Sequence, residues 1–366
     1  MTLRRLSLLF VTCAVLGILV HGSAQAFTEG KRIQILSGYS PGGGHDTEGR
    51  LIARRIGKYL PGMPTKVVKI NMPGASGLIH GAYVHHKAKK DGLTWSIMGT
   101  THLSSSVLKE PKPNFDLTKM PSIFSTSGAS AAIVRDFLKV KTGVELTKID
   151  PKTIAVSGRS ITGSSFLNDA IGLDLLGIKG YTFAVGYPGT AQMALAFLSG
   201  EVSYVGGTGL HHVLGSGGRY YSSIQEGVAV VIWQGGVLTP DGKVIRSPGT
   251  DIPTFEEVYK QVQGKAPSGA AWEAYKLTGP TLRTLNRTLV VPPGTPADRV
   301  AIIRAAFDKM YSDPAYVKEW EKIFGLKLDY IKGPDADKVT KTLLQPSPGW
   351  DWLKNEYIPA LLARKK

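Results

Sequence analysis

The sequence predicts an α/β protein of two lobes, each built on a central, largely parallel sheet. Three observations predict it. Short apolar runs alternate with helical patterns through most of the 366 residues. The two halves share one order of parts: strand, glycine-rich loop, helix, then a shorter strand, turn and helix. The 43 glycines and 22 prolines are spread rather than clustered, which suits many turns between short elements. In such sheets ligands sit beyond the carboxyl ends of the strands. No sequence repeat is strong enough to mark a duplication.

The first unit opens with the apolar run Ile33-Gln34-Ile35-Leu36 and the turn Ser37 to His45. A helix is expected from about Asp46, with Leu51, Ile52, Ile56 and Leu60 on one face. Backbone N–H groups left without partners just ahead of a helix sit at the positive end of its dipole, where a carboxylate or phosphate binds. Lys66–Ile70 reads as a strand, Leu78–Lys89 as a helix, and Thr94–Met98 as a strand ended by Gly99. The second unit has a strand over Thr153–Val156, a Gly/Ser loop over Ser157–Ser165 and a helix over Phe166–Leu176. Tyr181–Val185, Val202–Val205 and Val228–Trp233 read as strands, and Ala191–Leu198 as a helix. Near the C-terminus, Pro296 opens a helix with the stripe Val300, Ile303, Ala306, Phe307 and Met310. Asp313-Pro314 starts a second helix, and Gly349–Ala363 forms a last amphipathic one.

Composition removes several classes of function. Arg4 and Arg5, the apolar stretch Leu6–Val20 and the small-x-small site Ala24-Gln25-Ala26 predict an export signal cleaved after Ala26; a retained anchor is the competing reading. The only cysteine, Cys13, lies in that segment, so disulfides, thiol catalysis and cysteine-based zinc sites are excluded from the mature chain. No later stretch is apolar long enough to cross a bilayer. The net charge of +16 is dispersed, without a helix-turn-helix, ribonucleoprotein or zinc-finger pattern, so no nucleic-acid partner is expected. A bias toward anionic solutes remains. His85-His86 and His211-His212 are adjacent pairs, which on a helix point about 100° apart and do not face one ion. No metal and no cofactor is expected. HExxH, GxGxxG, the phosphate-loop lysine and GxSxG are all missing.

Six pieces in order carry a resemblance to a known family. They are Pro41-Gly42-Gly43-Gly44-His45-Asp46-Thr47-Glu48-Gly49-Arg50, Asn71-Met72-Pro73-Gly74-Ala75-Ser76-Gly77, and Asp91-Gly92-Leu93-Thr94. Tyr187-Pro188-Gly189-Thr190 through Gly200-Glu201-Val202, Pro253-Thr254-Phe255-Glu256 and Pro293-Gly294-Thr295-Pro296 complete the set. In these the chain resembles the periplasmic solute-binding proteins of tripartite tricarboxylate transporters, the Bug or TctC-like receptors. Gly49 departs from the first motif. Further departures cluster between Gly207 and Leu289, where His211-His212, the Gly215–Gly218 turn and Gln261–Asn286 do not align comfortably, and the tail beyond Pro346 looks extra.

The resemblance implies a type II, Venus-flytrap binding protein of the periplasm, monomeric, closing on a small carboxylate for delivery to membrane transporter subunits. It implies a discontinuous first lobe, 27–127 and 231–366, and a second lobe of 128–230. The expected ligand-binding residues are Tyr39, Ser40, Gly43, Gly44, His45 and Asp46 in the first loop, and Thr100 and Thr101 at a strand end. From the second lobe come Arg159, Thr162, Gly163, Ser164 and Ser165, with Tyr187, Gly189 and Thr190 at the far end of the cleft. Asp46 also fits a helix cap or a pair with Arg50. Ser164 or Ser165 fits a simple N-cap, Arg159 a solvated loop, and Asn71 with Gly74–Gly77 a loop-shaping role. A sensory receptor with the same binding event is the alternative function. A periplasmic enzyme is a third, although adjacent His45 and Asp46 do not aim at one reacting atom.

Overall fold

The computed structural model describes residues 27–109, 112–239 and 241–364. The expected signal segment, with Arg4, Arg5, Cys13 and the cleavage site at Ala26, lies outside the described residues. Strands β1 (Arg32–Ser37), β2 (Lys66–Asn71), β3 (Thr94–Gly99) and β4 (Ser122–Thr126) begin the first sheet. The second sheet holds β5 (Ser130–Arg135), β6 (Ala155–Gly158), β7 (Thr182–Val185), β8 (Tyr204–Gly209) and β9 (Ala229–Gln234). A short ribbon, β10 (Val237–Leu238) and β11 (Val244–Ile245), follows before β12 (Arg287–Val290) and β13 (Tyr330–Lys332) rejoin the first sheet. The sheet orders are β13-β4-β12-β3-β1-β2 and β7-β6-β8-β5-β9.

Both sheets contain the same parallel trio. In the first, β1 lies between β2 and β3; in the second, β6 lies between β7 and β8. The chain therefore leaves β1, and later β6, at a point where the strand order reverses, and a crevice opens at such a point. The remaining strands are antiparallel: β12 to β3 and β4, and β5 to β8 and β9. The expectation of largely parallel sheets thus holds for the trios, while both sheets are mixed.

Local sequence explains the trios. Ile33 and Ile35 are buried on one face of β1 and Leu36 on the other, as a strand covered on both sides requires. The helix Gly44–Arg55 lays Leu51 and Ile52 on that sheet. The helix Ala297–Tyr311 adds Val300, Ile303, Phe307 and Met310, and Phe307 stacks on Phe124 with centroids 4.9 Å apart. The helix expected over Leu78–Lys89 ends at His86, where Lys87 takes a non-helical conformation.

The lobe boundary expected at 231 falls later. Strand β9 pairs with β5 through Gln234, so Val231–Gln234 belong to the second sheet. The helices Phe255–Gln263 and Gly269–Lys276 also stay with the second lobe: Phe255 packs edge-on against Trp233, and the Asn168 amide donates to Tyr275 O at 2.9 Å. The chain returns to the first sheet only at β12. The C-terminal helices then go back to the second lobe, where the Tyr357 hydroxyl donates to Asp174 at 2.8 Å. Physically, a strand needs its ladder partner and an apolar helix face needs a cover, and for these segments both lie in the second lobe. The chain crosses between lobes beside Gly128, whose N–H donates to Arg283 O at 3.2 Å on the returning crossover.

A buried charge anchors the first lobe. Glu48, on the Gly44–Arg55 helix, is fully buried. Its carboxylate accepts from Arg287 Nε on β12, from the Thr126 and Tyr311 hydroxyls at 3.1 Å each, and from the Trp320 indole N–H at 3.4 Å. Removing one member of a buried pair leaves the other charge without compensation, at a cost of about 3–5 kcal/mol. Glu48→Ala is expected to lower unfolding stability by that amount in urea titrations, and Glu48→Ala with Arg287→Met to recover part of it. A loss of under about 1 kcal/mol, the worth of a surface pair, would contradict this role.

Candidate functional site

The loops that leave the parallel trios face one another across a hollow between the lobes. The first lobe supplies Tyr39, Ser40, Gly43, Gly44, His45 and Thr100. The second supplies Ser157–Arg159, Ser165, Phe166, Thr190 and the run Val205–Gly209, and His211, His212, Arg283 and Arg287 add to the wall. The lobes lie close together here. A Cβ on Gly44 would sit 2.6 Å from His211 Nε2, and one on Gly43 would sit 3.1 Å from Thr190 Oγ1. The remaining cavity is about 70 Å³.

Four helices start at this hollow: Gly44–Arg55, Thr100–Leu108, Ser164–Leu175 and Thr190–Leu198. Their N-cap residues are Gly43, Gly99, Gly163 and Gly189. Glycine offers no side-chain oxygen to occupy the free N–H groups of the first turn, which remain available to a ligand at the positive end of each dipole. Ser164 and Ser165 do not cap their helix, because Gly163 precedes both in the cap position. The Ser164 hydroxyl instead donates to Thr100 Oγ1 at 2.9 Å, a bond from one lobe to the other.

Side chains in the wall carry unused polar atoms. His45 Nε2, Ser157 Oγ, Thr208 Oγ1 and His211 Nε2 are buried without a hydrogen-bond partner. Such atoms are costly unless something pairs with them. The histidines are held neutral. Burial, reinforced by Arg287 and Arg159, keeps His45 well below its ordinary value, and burial with His212 and Arg287 does the same for His211. His212 is pushed down to about 3 by burial and the nearby arginines. Behind this wall, His102 accepts the Gly99 N–H on Nδ1 at 3.1 Å and donates from Nε2 to Gly77 O at 3.0 Å. Burial lowers its pKa to about 4. Asp169 lies against the Gly206 backbone of the wall, and burial raises its pKa well above the usual carboxylate range. Positive charge on the wall comes from Arg159, Arg283 and Arg287.

The residues expected at the site divide into groups. Tyr39, Ser40, Gly43, Gly44, His45, Thr100, Arg159, Ser165 and Thr190 line the hollow. Gly189 backs it, since a Cβ there would lie 3.3 Å from Ser40 Oγ. Asp46 faces away: its carboxylate accepts from Gly42 N at 2.8 Å and Arg50 Nε at 2.9 Å, and buried Lys69 lies 3.6 Å off. It holds the loop and pairs with Arg50 rather than capping the helix, because it lies inside the first turn. Asn71 shapes the same loop by donating to Tyr39 O at 2.8 Å. Thr162 and Gly163 fall outside the wall, and Thr101 and Tyr187 line a neighbouring cavity. Tyr187 donates to Glu201 at 2.6 Å.

Several wall residues were not expected. Gly207–Gly209, His211, His212, Arg283 and Arg287 come from the span between Gly207 and Leu289 where departures from the family motifs cluster, and Val205 and Gly206 directly precede it. No local pattern marks them; the antiparallel partners β5 and β12 bring them in. No cluster of three or more metal-ligating side chains occurs among the described residues.

Neutral buried histidines give stability a definite pH dependence. A histidine whose folded pKa is depressed contributes fully above its unfolded value of about 6.5 and progressively less as pH falls toward the folded value. Urea midpoints are expected to hold above pH 6.5 and to fall steadily down to pH 4, with His102→Asn and His212→Asn each flattening the slope. A midpoint unchanged between pH 7 and pH 4.5 would refute the neutral assignment.

No protein-family model matches the chain, and no curated protein matches it in sequence. Solved structures do match. The periplasmic binding protein BugD is 19% identical, with a TM-score of 0.67, over 88% of this chain and 96% of that one. MatC from Rhodopseudomonas palustris with bound malate is 17% identical, with a TM-score of 0.61, over 91% of this chain and 97% of that one. R. palustris Rpa4515 with adipate is 16% identical, with a TM-score of 0.67, again over 91% and 97%. Across nearly its whole described length, the chain therefore has the two-lobed α/β fold of the Bug- and TctC-type periplasmic solute-binding proteins.

Proposed function

We propose that the protein is an extracytoplasmic solute-binding protein that captures a small organic carboxylate between its lobes and delivers it to a tripartite tricarboxylate-type membrane transporter. One observation carries the reading: four glycine-capped helix starts and four unpartnered buried polar atoms converge on one interlobe hollow. A carboxylate is an acceptor that several backbone N–H groups can share, and water exclusion strengthens each charge-assisted bond. The malate and adipate held by MatC and Rpa4515 support the ligand class. Solved neighbours described as a periplasmic transporter and a periplasmic binding protein support binding without chemistry. Closure around the ligand would make the recognition surface for the transporter, with the protein acting as a monomer in the periplasm.

Isothermal calorimetry and thermal unfolding with a carboxylate panel test this. The expected Kd is near micromolar, about 8 kcal/mol, and a ligand at 100 times its Kd should stabilise the fold by about 2.7 kcal/mol. Gly44→Ala places a methyl group against His211 and is expected to weaken that binding at least tenfold, about 1.4 kcal/mol. Response to a sugar or a cation but to no acid would overturn the ligand class.

A further inference from the structure

We infer that Lys69, buried beneath the first ligand loop, is a positioning residue whose ammonium group ties the two ends of that loop together, and that the site binds its anion tightly only while this ammonium keeps its proton. This rests on the carboxylate reading and adds a control to it. Lys69 lies on β2, the edge strand beside β1. Its side chain points inward against the helix Gly44–Arg55 and is 2% exposed. A lysine placed there needs room for its stem and partners for its head.

Gly49 supplies the room, at the position where the first motif departs from its pattern. A Cβ on Gly49 would sit 2.6 Å from both Cδ and Cε of Lys69, so a methyl group there and the lysine stem exclude one another. Glycine inside a helix weakens it; here the space it leaves is filled by Lys69. The head finds its partners at the two ends of the loop. Nζ donates to Ser37 Oγ at 2.8 Å and to Ile70 O at 3.0 Å, and stands 3.6 Å from Asp46 Oδ1. Ser37 is the last residue of β1, and Asp46 lies in the first turn of the helix. Between them run Tyr39, Ser40, Gly43, Gly44 and His45, the first-lobe wall of the hollow. Asp46 Oδ2 serves Gly42 and Arg50, while Oδ1 has no hydrogen bond and faces Lys69 alone.

The charge matters as much as the tie. A carboxylate behind an anion site repels the ligand. Arg50 and Lys69 together outweigh Asp46 and leave the cluster with one positive charge in excess. The other titratable groups about Lys69 are His45 on the loop and His80 on the helix Leu78–His86, both held neutral chiefly by burial, with Lys69 adding to the effect. Burial, opposed by Asp46 and assisted by Arg50, brings Lys69 down to about 8. Affinity and stability then respond to pH with opposite signs. Anion binding favours the charged amine, so affinity falls as pH rises through 8. Folding favours the neutral amine, because an unfolded lysine titrates near 10.4, so stability rises over the same interval.

Calorimetry and urea unfolding of the full exported protein between pH 6.5 and pH 9 test this, with benzoate, malate and adipate as probes, all fully ionised above pH 7. The Kd of the tightest binder is expected to hold up to pH 7.5 and to rise by about threefold or more at pH 9. Lys69→Met keeps the bulk of the stem and removes the charge. It should bind about threefold or more weakly at pH 7 and show no further rise to pH 9. Its urea midpoint at pH 7 should equal or exceed that of the wild type, and the wild-type midpoint alone should climb between pH 7.5 and pH 9. A wild-type Kd flat to pH 9, the same rise in Lys69→Met, or equal affinity of the two proteins at pH 7 would overturn the role of Lys69. Absence of binding to every acid at every pH would instead overturn the carboxylate reading beneath it.

Discussion

Four helices begin at one hollow, each on a glycine, and the free N–H groups of those first turns set the terms for everything around them. A helix start carries donors and a positive partial charge. Four starts with side-chain caps would be four closed ends. With Gly43, Gly99, Gly163 and Gly189 in the cap positions they stay open toward the hollow. Like charges at close quarters repel, so the arrangement favours a site that a negative group completes.

The surroundings respect that constraint. Histidines on and behind the wall are neutral, since further positive charge there would add to the repulsion and cost desolvation. Arg287 contributes its charge only because Glu48 compensates it from below. That carboxylate in turn gathers hydroxyl and indole donors, so the helix carrying Gly44 and the strand carrying Arg287 are fixed to each other. The wall of the hollow is therefore supported by the core of its lobe.

The two lobes share the work through one topological device. In each sheet the first strand of a parallel trio lies between the other two, and the loop leaving it opens onto the crevice. The C-terminal helices add a further tie by running from the first lobe back to the second, where Tyr357 and Arg364 both engage Asp174. Lobe movement has to accommodate this tie as well as the crossovers beside Gly128.

What the sequence determined by itself was local. Apolar runs such as Ile33–Leu36 and stripes such as Val300–Met310 mark their own strands and helices, because period and burial go together. Glycine before a helix likewise marks an open N-terminus, and the loops at Gly43–His45 and at Arg159 and Ser165 were legible for that reason. Strands β4 and β5 were not singled out: Ser122–Thr126 and Ser130–Arg135 are rich in serine and alanine and become strands through long-range pairing. The tertiary structure alone decided which distant segments share a wall. Asp46 turns inward because Arg50 and Lys69 hold it there, and Tyr187 stands in an outer cavity. Arg283, Arg287 and His211 reach the hollow through crossovers and antiparallel pairing, contacts that span many residues and leave no short-range pattern in the chain.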